Sequence, residues 1–415
     1  MTTAESSGMF IDYDDVWLLD GVRTPFVDYN AALGLVSPID LGIKVARSLF
    51  ERTGIAPADV GSVIAASVAP TSFDGYLVPR HIGIYSGVPI DRPALLVQRI
   101  CGSGLETITQ AADAITLKKI SLGLCVGAES MSRNPVAAFT HRGGFRMGQV
   151  EFRDFLWEAL LDTSCDVTMG GTAENVAKDY KITREDADRF AERSFNLAVQ
   201  AQQSCFLSGE IVPLSTEAFE LSGYKTRSVQ LPKGVDKIEK DTHIRSTPYE
   251  VLAKIRPAFG GVQTGGNSSA IVDGAAGALV GSGAYAKNRG IKPLARVAAV
   301  ATVGVPPERM SIGPAPAIRR LLAGTGLALN AIDRFEINEA FAAQYISVER
   351  ELQLDRNRVN VNGGAIAIGH PLAATGLRLA TTLARELHRS QLRYGVASAC
   401  IGGGQGIAML LENQI

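Results

Sequence analysis

Residues 122–130 read LGLCVGAES, and residues 394–402, near the far end of the chain, read YGVASACIG. Each is an apolar run that opens into glycine and small residues. The echo between them supports two related halves. Outward from these stretches, short apolar runs alternate with helix-length amphipathic segments, the pattern of an α/β fold. The runs predict strands at 16–20, 63–68, 122–126, 334–337, 359–362 and 394–399. Helices are predicted at 39–51, 104–118, 315–322, 339–351 and 375–387. From about residue 133 to 260 the chain is more charged and less regular. One strong helix is expected there, with Thr183 as N-cap and Glu185 and Asp186 in its first turn. Ala187, Phe190, Ala191 and Leu197 form its expected buried stripe. This middle reads as an insertion between the halves.

Composition narrows the class. With 415 residues, 46% of them hydrophobic, the chain can bury a large core. Its 43 glycines imply many tight turns and close backbone approaches. Lys plus Arg is 41 against 42 for Asp plus Glu, a net charge of -1. That balance gives no reason to expect nucleic acid, so an anionic ligand would need a local basic site. No stretch reaches 18 apolar residues without charge, so no membrane span is expected. The first 15 residues have no apolar core and are not Arg-rich, so they read as a short loose extension rather than a targeting segment. The terminal Asn413-Gln414-Ile415 is not an organelle address of the S-K-L type. Five widely spaced cysteines, an odd number without a CxxC pair, argue against a disulfide framework or a zinc site. A reducing compartment fits, and a cytoplasmic location is expected.

Four segments can carry chemistry. Residues 95–104 read LLVQRICGSG, which puts Cys101 between an apolar run and a glycine-rich helix start. A thiol there lies near the positive end of a helix dipole and near free N–H groups, which favour the thiolate and lower its pKa. The same N–H groups suit an oxyanion. An ordinary buried cysteine fits the local pattern too. Residues 360–376 read NVNGGAIAIGHPLAATG, where glycines allow turns that place the His370 imidazole in a crowded site. A hydrogen-bonded structural histidine stays open as the alternative. Residues 398–406 read SACIGGGQG, so Cys400 ends a strand and a glycine run follows. That run fails the G-x-G-x-x-G spacing, and it comes too late in the chain for a dinucleotide site. In INEAFAAQ, Asn338 and Glu339 stand at a strand-to-helix junction, where Asn is equally an N-cap. Cys125 reads as core. Cys165 and Cys205 lack a nearby glycine-rich turn. His81, His141, His243 and His388 make no metal-ligand spacing, so no metal is expected.

In order along the chain, these segments resemble the thiolase family. The resemblance begins at Arg23-Thr24-Pro25-Phe26 and continues through Cys101-Gly102-Ser103-Gly104 and Gly127-Ala128-Glu129-Ser130-Met131-Ser132. It runs on through residues 169–175 (MGGTAEN), 264–274 (TGGNSSAIVDG), 338–341 (NEAF), 362–371 (NGGAIAIGHP) and 400–406 (CIGGGQG). The wording of the C-terminal part is closest to 3-ketoacyl-CoA and acetoacetyl-CoA thiolases.

The resemblance implies an α/β thiolase fold, with duplicated halves in a five-layer αβαβα core and an inserted loop domain. The N-terminal half would take 1–132 and 261–292, the inserted loop domain 133–260 and the C-terminal half 293–415. It implies that Cys101 is the acylated nucleophile and His370 the base that activates it. Cys400 matches the acid/base at the α-carbon of acetyl-CoA. Asn338 matches the residue that, through a water, helps His370 hold the enolate oxygen. The N–H groups of Cys101 and Gly402 match a second oxyanion hole. Ser269 matches a serine beside the pantetheine arm, and Arg245 a basic residue beside the nucleotide. Met169, Met310 and Phe341 match the acyl-pocket lining. Coenzyme A is implied as substrate, with no other cofactor, and the assembly as a homodimer or homotetramer. The rival expectations are a ketoacyl-synthase-like condensing enzyme and a non-catalytic acyl-CoA-binding homologue. Some positions depart from the pattern. Thr168 stands where short-chain biosynthetic members commonly have His, Ala373 and Ala374 replace a Gly-containing pair, Val251 a Ser, and Val27 a Gly. Those departures leave chain length open.

Overall fold

A computed structural model describes residues 7–139 and 141–414, so the readings that fall on residues 1–6 and on Ile415 lie outside the described residues. An eleven-stranded mixed sheet runs through the molecule. Its main path uses β1 (Val16–Arg23), β2 (Ser62–Ala66), β3 (Ala94–Leu96), β4 (Leu122–Glu129) and β5 (Val272–Ser282). It continues with β6 (Ala295–Gly304), β7 (Arg334–Ile337), β8 (Tyr394–Ile401) and β9 (Gln405–Glu412). The order is β7-β8-β9-β6-β1-β5-β4-β2-β3, with Met9–Asp12 added against β6 and Val27–Asp28 against β5.

The path is two copies of one pattern. In the first half β5 lies antiparallel between β1 and β4, and β4 is parallel to β2. In the second, β9 lies antiparallel between β6 and β8, and β8 is parallel to β7. Val359 makes a single parallel bridge to Phe335 where β3 stands in the first half. Among the described residues, β1 and β6 pair at two positions, Leu18 with Ala295 and Trp17 with Arg296. The two stretches that echo each other in sequence, β4 and β8, hold equivalent places.

Each of these strands is entered from a helix, Ser103–Thr116 before β4 and Leu372–Arg389 before β8. Both helices lie between the half-sheets and pack on each other. Pro38–Thr53 and Val78–Tyr85 cover the outer face of the first half, and Pro314–Thr325 that of the second. The result is five layers around a core that is continuous through the middle. Local signals set the helix ends. The Pro38–Thr53 helix starts on a Ser37 cap that accepts from the Ile39 N–H, and stops at Gly54 with φ +67.

The inner helices meet backbone to backbone. A Cβ on Gly104 would sit 2.6 Å from the Leu377 nitrogen, and one on Gly376 would sit 2.3 Å from the Leu105 nitrogen. A Cβ on Gly127 of β4 would sit 2.0 Å from the Ala373 carbonyl oxygen. Only glycine fits such approaches. Glu129, at the end of β4, secures the same contact. Its carboxylate accepts from the N–H groups of Val68 (3.0 Å), Ala69 (3.2 Å) and Ala373 (3.0 Å), and so fastens the start of the Leu372–Arg389 helix to the first half.

Several expectations are corrected. Residues 359–362 are not a strand, because after Val359 the chain turns through Asn360 at φ +48. The helix expected from 339 begins at Ala342, with Phe341 as its extended N-cap. Asn338 instead prolongs the line of β7, its N–H bonded to the Ser398 carbonyl at 2.9 Å. Three long strands, β5, β6 and β9, went unread. Helices press on both faces of β5, so its sequence VDGAAGALVGS shows no alternation and keeps small residues where neighbours crowd it. Between 133 and 260 there are two long helices, not one: Met169–Asp179 and Arg184–Gln203. Thr183 and Asp186 form a reciprocal capping box on the second. Ala187, Phe190 and Ala191 are buried there, but Leu197 is only half-buried, and Phe195 and Ala198 complete the stripe.

Gly127→Ala tests the close contact. The added methyl has to push the Leu372–Arg389 helix away, and overpacking of this kind costs about 1–3 kcal/mol. Denaturant unfolding should show that loss. Unchanged stability would mean the helix can yield.

Candidate functional site

The starts of the two inner helices bring Cys101 and His370 to one place. Cys101 lies in the short turn Ile100–Gly102 that leads into the Ser103–Thr116 helix. Ile100 has φ +45, a left-handed conformation that a β-branched residue rarely adopts. Such strain is held only where surrounding contacts fix it. Here Ser103 clamps the turn, its Oγ accepting from the Arg99 N–H (2.8 Å) and donating to the Ile100 carbonyl (2.7 Å). The Cys101 sulfur is buried and faces two backbone N–H groups, its own and that of Gly402. Gly402 lies just past the end of β8, and Gly403 and Gly404, both at φ +82, turn the chain into β9. Cys400 is fully buried on β8, packed with Met169, Met310 and Ala340, and near enough to feel the charge of Cys101.

The imidazole is held in one tautomer. Thr375 Oγ1 donates to the Pro371 carbonyl (3.2 Å), so it accepts from His370 Nδ1 at 2.6 Å. Nδ1 therefore carries the proton, and Nε2 presents a lone pair. Asn338 Nδ2 lies 3.4 Å from that Nε2. The Asn338 Oδ1 is buried without a partner among the described residues. Both side chains are almost wholly out of water.

Burial sets the protonation states. It pushes the Cys101 thiol up to about 11, against the opposing pull of the Gly402 and Cys101 N–H groups and with a further push from Glu129. The lowered thiol pKa expected from the helix start is therefore corrected: in the closed site, loss of water outweighs the N–H groups. Burial, with Arg378 nearby, pulls His370 down to about 3, so the ring is neutral. Burial and the Cys101 charge both push Cys400 well above the ordinary thiol value. The resting site holds two neutral thiols and a neutral base.

Cys101 and His370 stand at an apolar cavity of about 570 Å³, and Cys400 and Asn338 are not among its lining residues. Cys101, His370, Met169, Met310, Phe341 and Ser269 line it. Arg245 does not; it is exposed beside His243, which does. Leu156, Trp157 and Leu160, from the charged middle of the chain, close one side. Thr168 lines the cavity as the N-cap of Met169–Asp179, its hydroxyl accepting from the Gly171 N–H at 3.1 Å. Sequence reasoning missed Thr375 and His243. Thr375 lies five residues after His370, but spacing alone gives no sign that its hydroxyl meets the ring. His243 shows no local signal beyond the absence of a metal-ligand spacing.

Residues 16–284 match the family model for thiolase, N-terminal domain, and residues 291–413 that for thiolase, C-terminal domain. Mitochondrial 3-ketoacyl-CoA thiolase of Bos taurus is 39% identical over 402 residues, covering 96% of this chain and 98% of that protein. Acetyl-CoA acetyltransferase of Pseudomonas aeruginosa is 40% identical over 400 residues, covering 96% and 99%. The crystal structure of human mitochondrial 3-ketoacyl-CoA thiolase in complex with CoA has a TM-score of 0.91 at 36% identity, covering 98% of this chain and all of that one.

The protonation states can be read by alkylation. Only the thiolate reacts, so modification of Cys101 by iodoacetamide should rise about tenfold per pH unit from pH 7 to 9. Peptide mapping identifies the site. A rate that is flat from pH 5 to 8 would instead reveal a thiolate–imidazolium pair.

Proposed function

The chain belongs to the thiolase family, and from that premise we propose how its own residues share the reaction. That reaction is the reversible cleavage of a 3-ketoacyl-CoA by CoA into an acyl-CoA and acetyl-CoA. The observation that supports the assignment best is the meeting of the buried Cys101 thiol and the His370 imidazole, its Nδ1 held by Thr375, at one apolar cavity, with the Cys400 thiol buried against Met169 and Met310 of the cavity wall.

Cys101 Sγ attacks the 3-keto carbon while His370 Nε2 takes its proton. A thiol at about 11 is a poor nucleophile alone, so the neutral base beside it is needed. The N–H groups of Cys101 and Gly402, already aimed at the sulfur, receive the developing alkoxide. The C2–C3 bond then breaks, leaving the acyl group on Cys101 and the enolate of acetyl-CoA. Asn338 and His370 hold the enolate oxygen. Cys400 gives its proton to the α-carbon, and acetyl-CoA leaves. In the second half, the Cys400 thiolate takes the proton of the CoA thiol. The CoA sulfur attacks the acyl-cysteine, and acyl-CoA departs as His370 returns the proton to Cys101. Condensation is the reverse sequence.

No cofactor beyond CoA enters this scheme, and no nucleic acid or membrane partner is invoked. No described helix is long and apolar enough to cross a membrane. A reducing compartment such as the cytoplasm suits two working thiols. We assign the assembly as a homodimer or homotetramer, to be checked by sedimentation. A ketoacyl-synthase-like enzyme would pair its cysteine with two histidines, or with His and Asn; the second thiol on β8 favours the thiolase reaction.

Cys400→Ala separates the two thiol roles. The variant should still become acylated at Cys101 and exchange acyl groups between CoA molecules. It should lose condensation and α-hydrogen exchange of acetyl-CoA with deuterated water by about 10²–10⁴-fold. If acylation falls as far as in Cys101→Ala, in a protein shown to be folded, the division of labour is wrong.

Chain length follows from the cavity. The Thr168 hydroxyl is engaged as a helix cap, and the neighbouring walls, Leu156, Trp157 and Leu160, are apolar. Thiolysis across a 3-ketoacyl-CoA series should therefore proceed on chains longer than acetoacetyl as well as on acetoacetyl-CoA. Activity confined to acetoacetyl-CoA would refute this.

A further inference from the structure

His243 is a histidine that the reaction leaves unused, although it lines the same cavity as Cys101 and His370. It is held in a fixed orientation. The Asp28 carboxylate accepts from Thr242 Oγ1 at 2.7 Å through one oxygen, and meets His243 Nδ1 at 2.6 Å through the other. A carboxylate only accepts, so Nδ1 carries the proton and donates it. Arg245 Nη1, 3.2 Å from the same nitrogen, bonds instead to the His243 carbonyl, also at 3.2 Å. Its guanidinium lies over the Phe195 ring, 5.7 Å from the centroid, and that ring is tilted against the imidazole at 5.9 Å. Strand, loop and helix thus fix the imidazole on three sides. By elimination Nε2 bears a lone pair, and it has no partner among the described residues.

Among the described side chains lining the cavity, His370 is the only other imidazole. Of the other polar side chains lining it, Tyr29 and Ser269 also carry hydroxyls that can accept, Asp28 is used as above, and Asp154 accepts from the Leu156 N–H at 2.9 Å. Thr168 caps its helix, and Ser268 donates to the Thr264 carbonyl at 2.7 Å. The thiol-bearing arm of coenzyme A carries amide N–H groups, and each entering an apolar channel must find an acceptor or lose free energy. His243 is part-buried and lines the cavity, and Arg245, two residues on, is exposed.

We propose that His243 is a binding residue for the pantetheine arm of coenzyme A, its Nε2 accepting a hydrogen bond from an arm amide, with Asp28 as the positioning residue that sets the tautomer. The inference rests on the thiolase reading above. It makes the contact pH-dependent. Burial pulls His243 below the ordinary histidine value, with Arg245 pulling the same way and the Asp28 bond opposing. Those two are the charged groups that act on the ring, and the helix Arg184–Gln203 sets Phe195 against it. The ring is therefore neutral at pH 7 and loses its acceptor only on the acid side of the ordinary value.

Thiolysis kinetics test this, with CoA and with pantetheine, which has the arm but no nucleotide, as alternative acyl acceptors. His243→Phe should raise KM for both acceptors about 3- to 10-fold, the size of one lost hydrogen bond, and leave kcat within about twofold. His243→Gln places an amide oxygen near the position of Nε2. It should restore KM and remove the rise in KM that the parent enzyme shows as pH falls below 6.5. An unchanged KM in His243→Phe would overturn the proposal, as would a rise seen with CoA but not with pantetheine. A matching fall in kcat would make His243 a structural residue and would overturn it too. Absence of thiolysis by the unaltered enzyme would instead overturn the thiolase reading, and this inference with it.

Discussion

The structure depends on two helices meeting backbone to backbone. At Gly104, Gly376 and Gly127 there is room for a hydrogen and nothing more. This lets the first turn of Leu372–Arg389 lie against the first turn of Ser103–Thr116, with Glu129 bonding across the seam. Cys101 precedes one helix and His370 the other. Their meeting follows from the contact between the halves, because each half holds its residue at the equivalent place of a repeated pattern. Cys400 comes from the strand that the second of these helices enters, and Gly402 lies just past its end. One seam therefore assembles a site whose members lie about three hundred residues apart in sequence.

Water exclusion shapes the chemistry built there. A thiol at about 11 beside an imidazole at about 3 is a neutral pair that separates charge only as a bond forms. Oriented N–H groups count for more in such surroundings than in water. The helix start at Cys101 supplies those N–H groups but does not ionise the resting thiol. Its value is reserved for the negative charge that appears on the substrate oxygen.

The charged middle of the chain does two jobs. Its interior ties into the core through the fully buried Arg23, which pairs with Glu210 and Asp241 at 2.6 Å each. Breaking a buried pair strands a charge, so this link resists loss of either partner. Its other side brings Leu156, Trp157 and Leu160 over the cavity and sets His243 beside Asp28. The middle of the chain thus supplies part of the wall around Cys101 and His370.

The sequence by itself determined the α/β class, the echo between β4 and β8, and the nucleophile, imidazole and second thiol as candidates in glycine-rich settings. These are local properties: an apolar run, a cap, a turn that needs glycine. The five-residue segment at Thr183 to Ala187 declared its helix start because a capping box is complete within it. The sequence did not reveal β5, since a strand covered on both faces loses the alternation that marks strands. Nor did it reveal the bond from His370 to Thr375, the position of Asn338 outside any helix, or the pairing of His243 with Asp28, 215 residues away. Protonation was decided last of all. Helix geometry near Cys101 argued for a thiolate, but the burial that keeps it a thiol comes from residues of both halves and the insertion closing together, and only the assembled tertiary structure contains that fact.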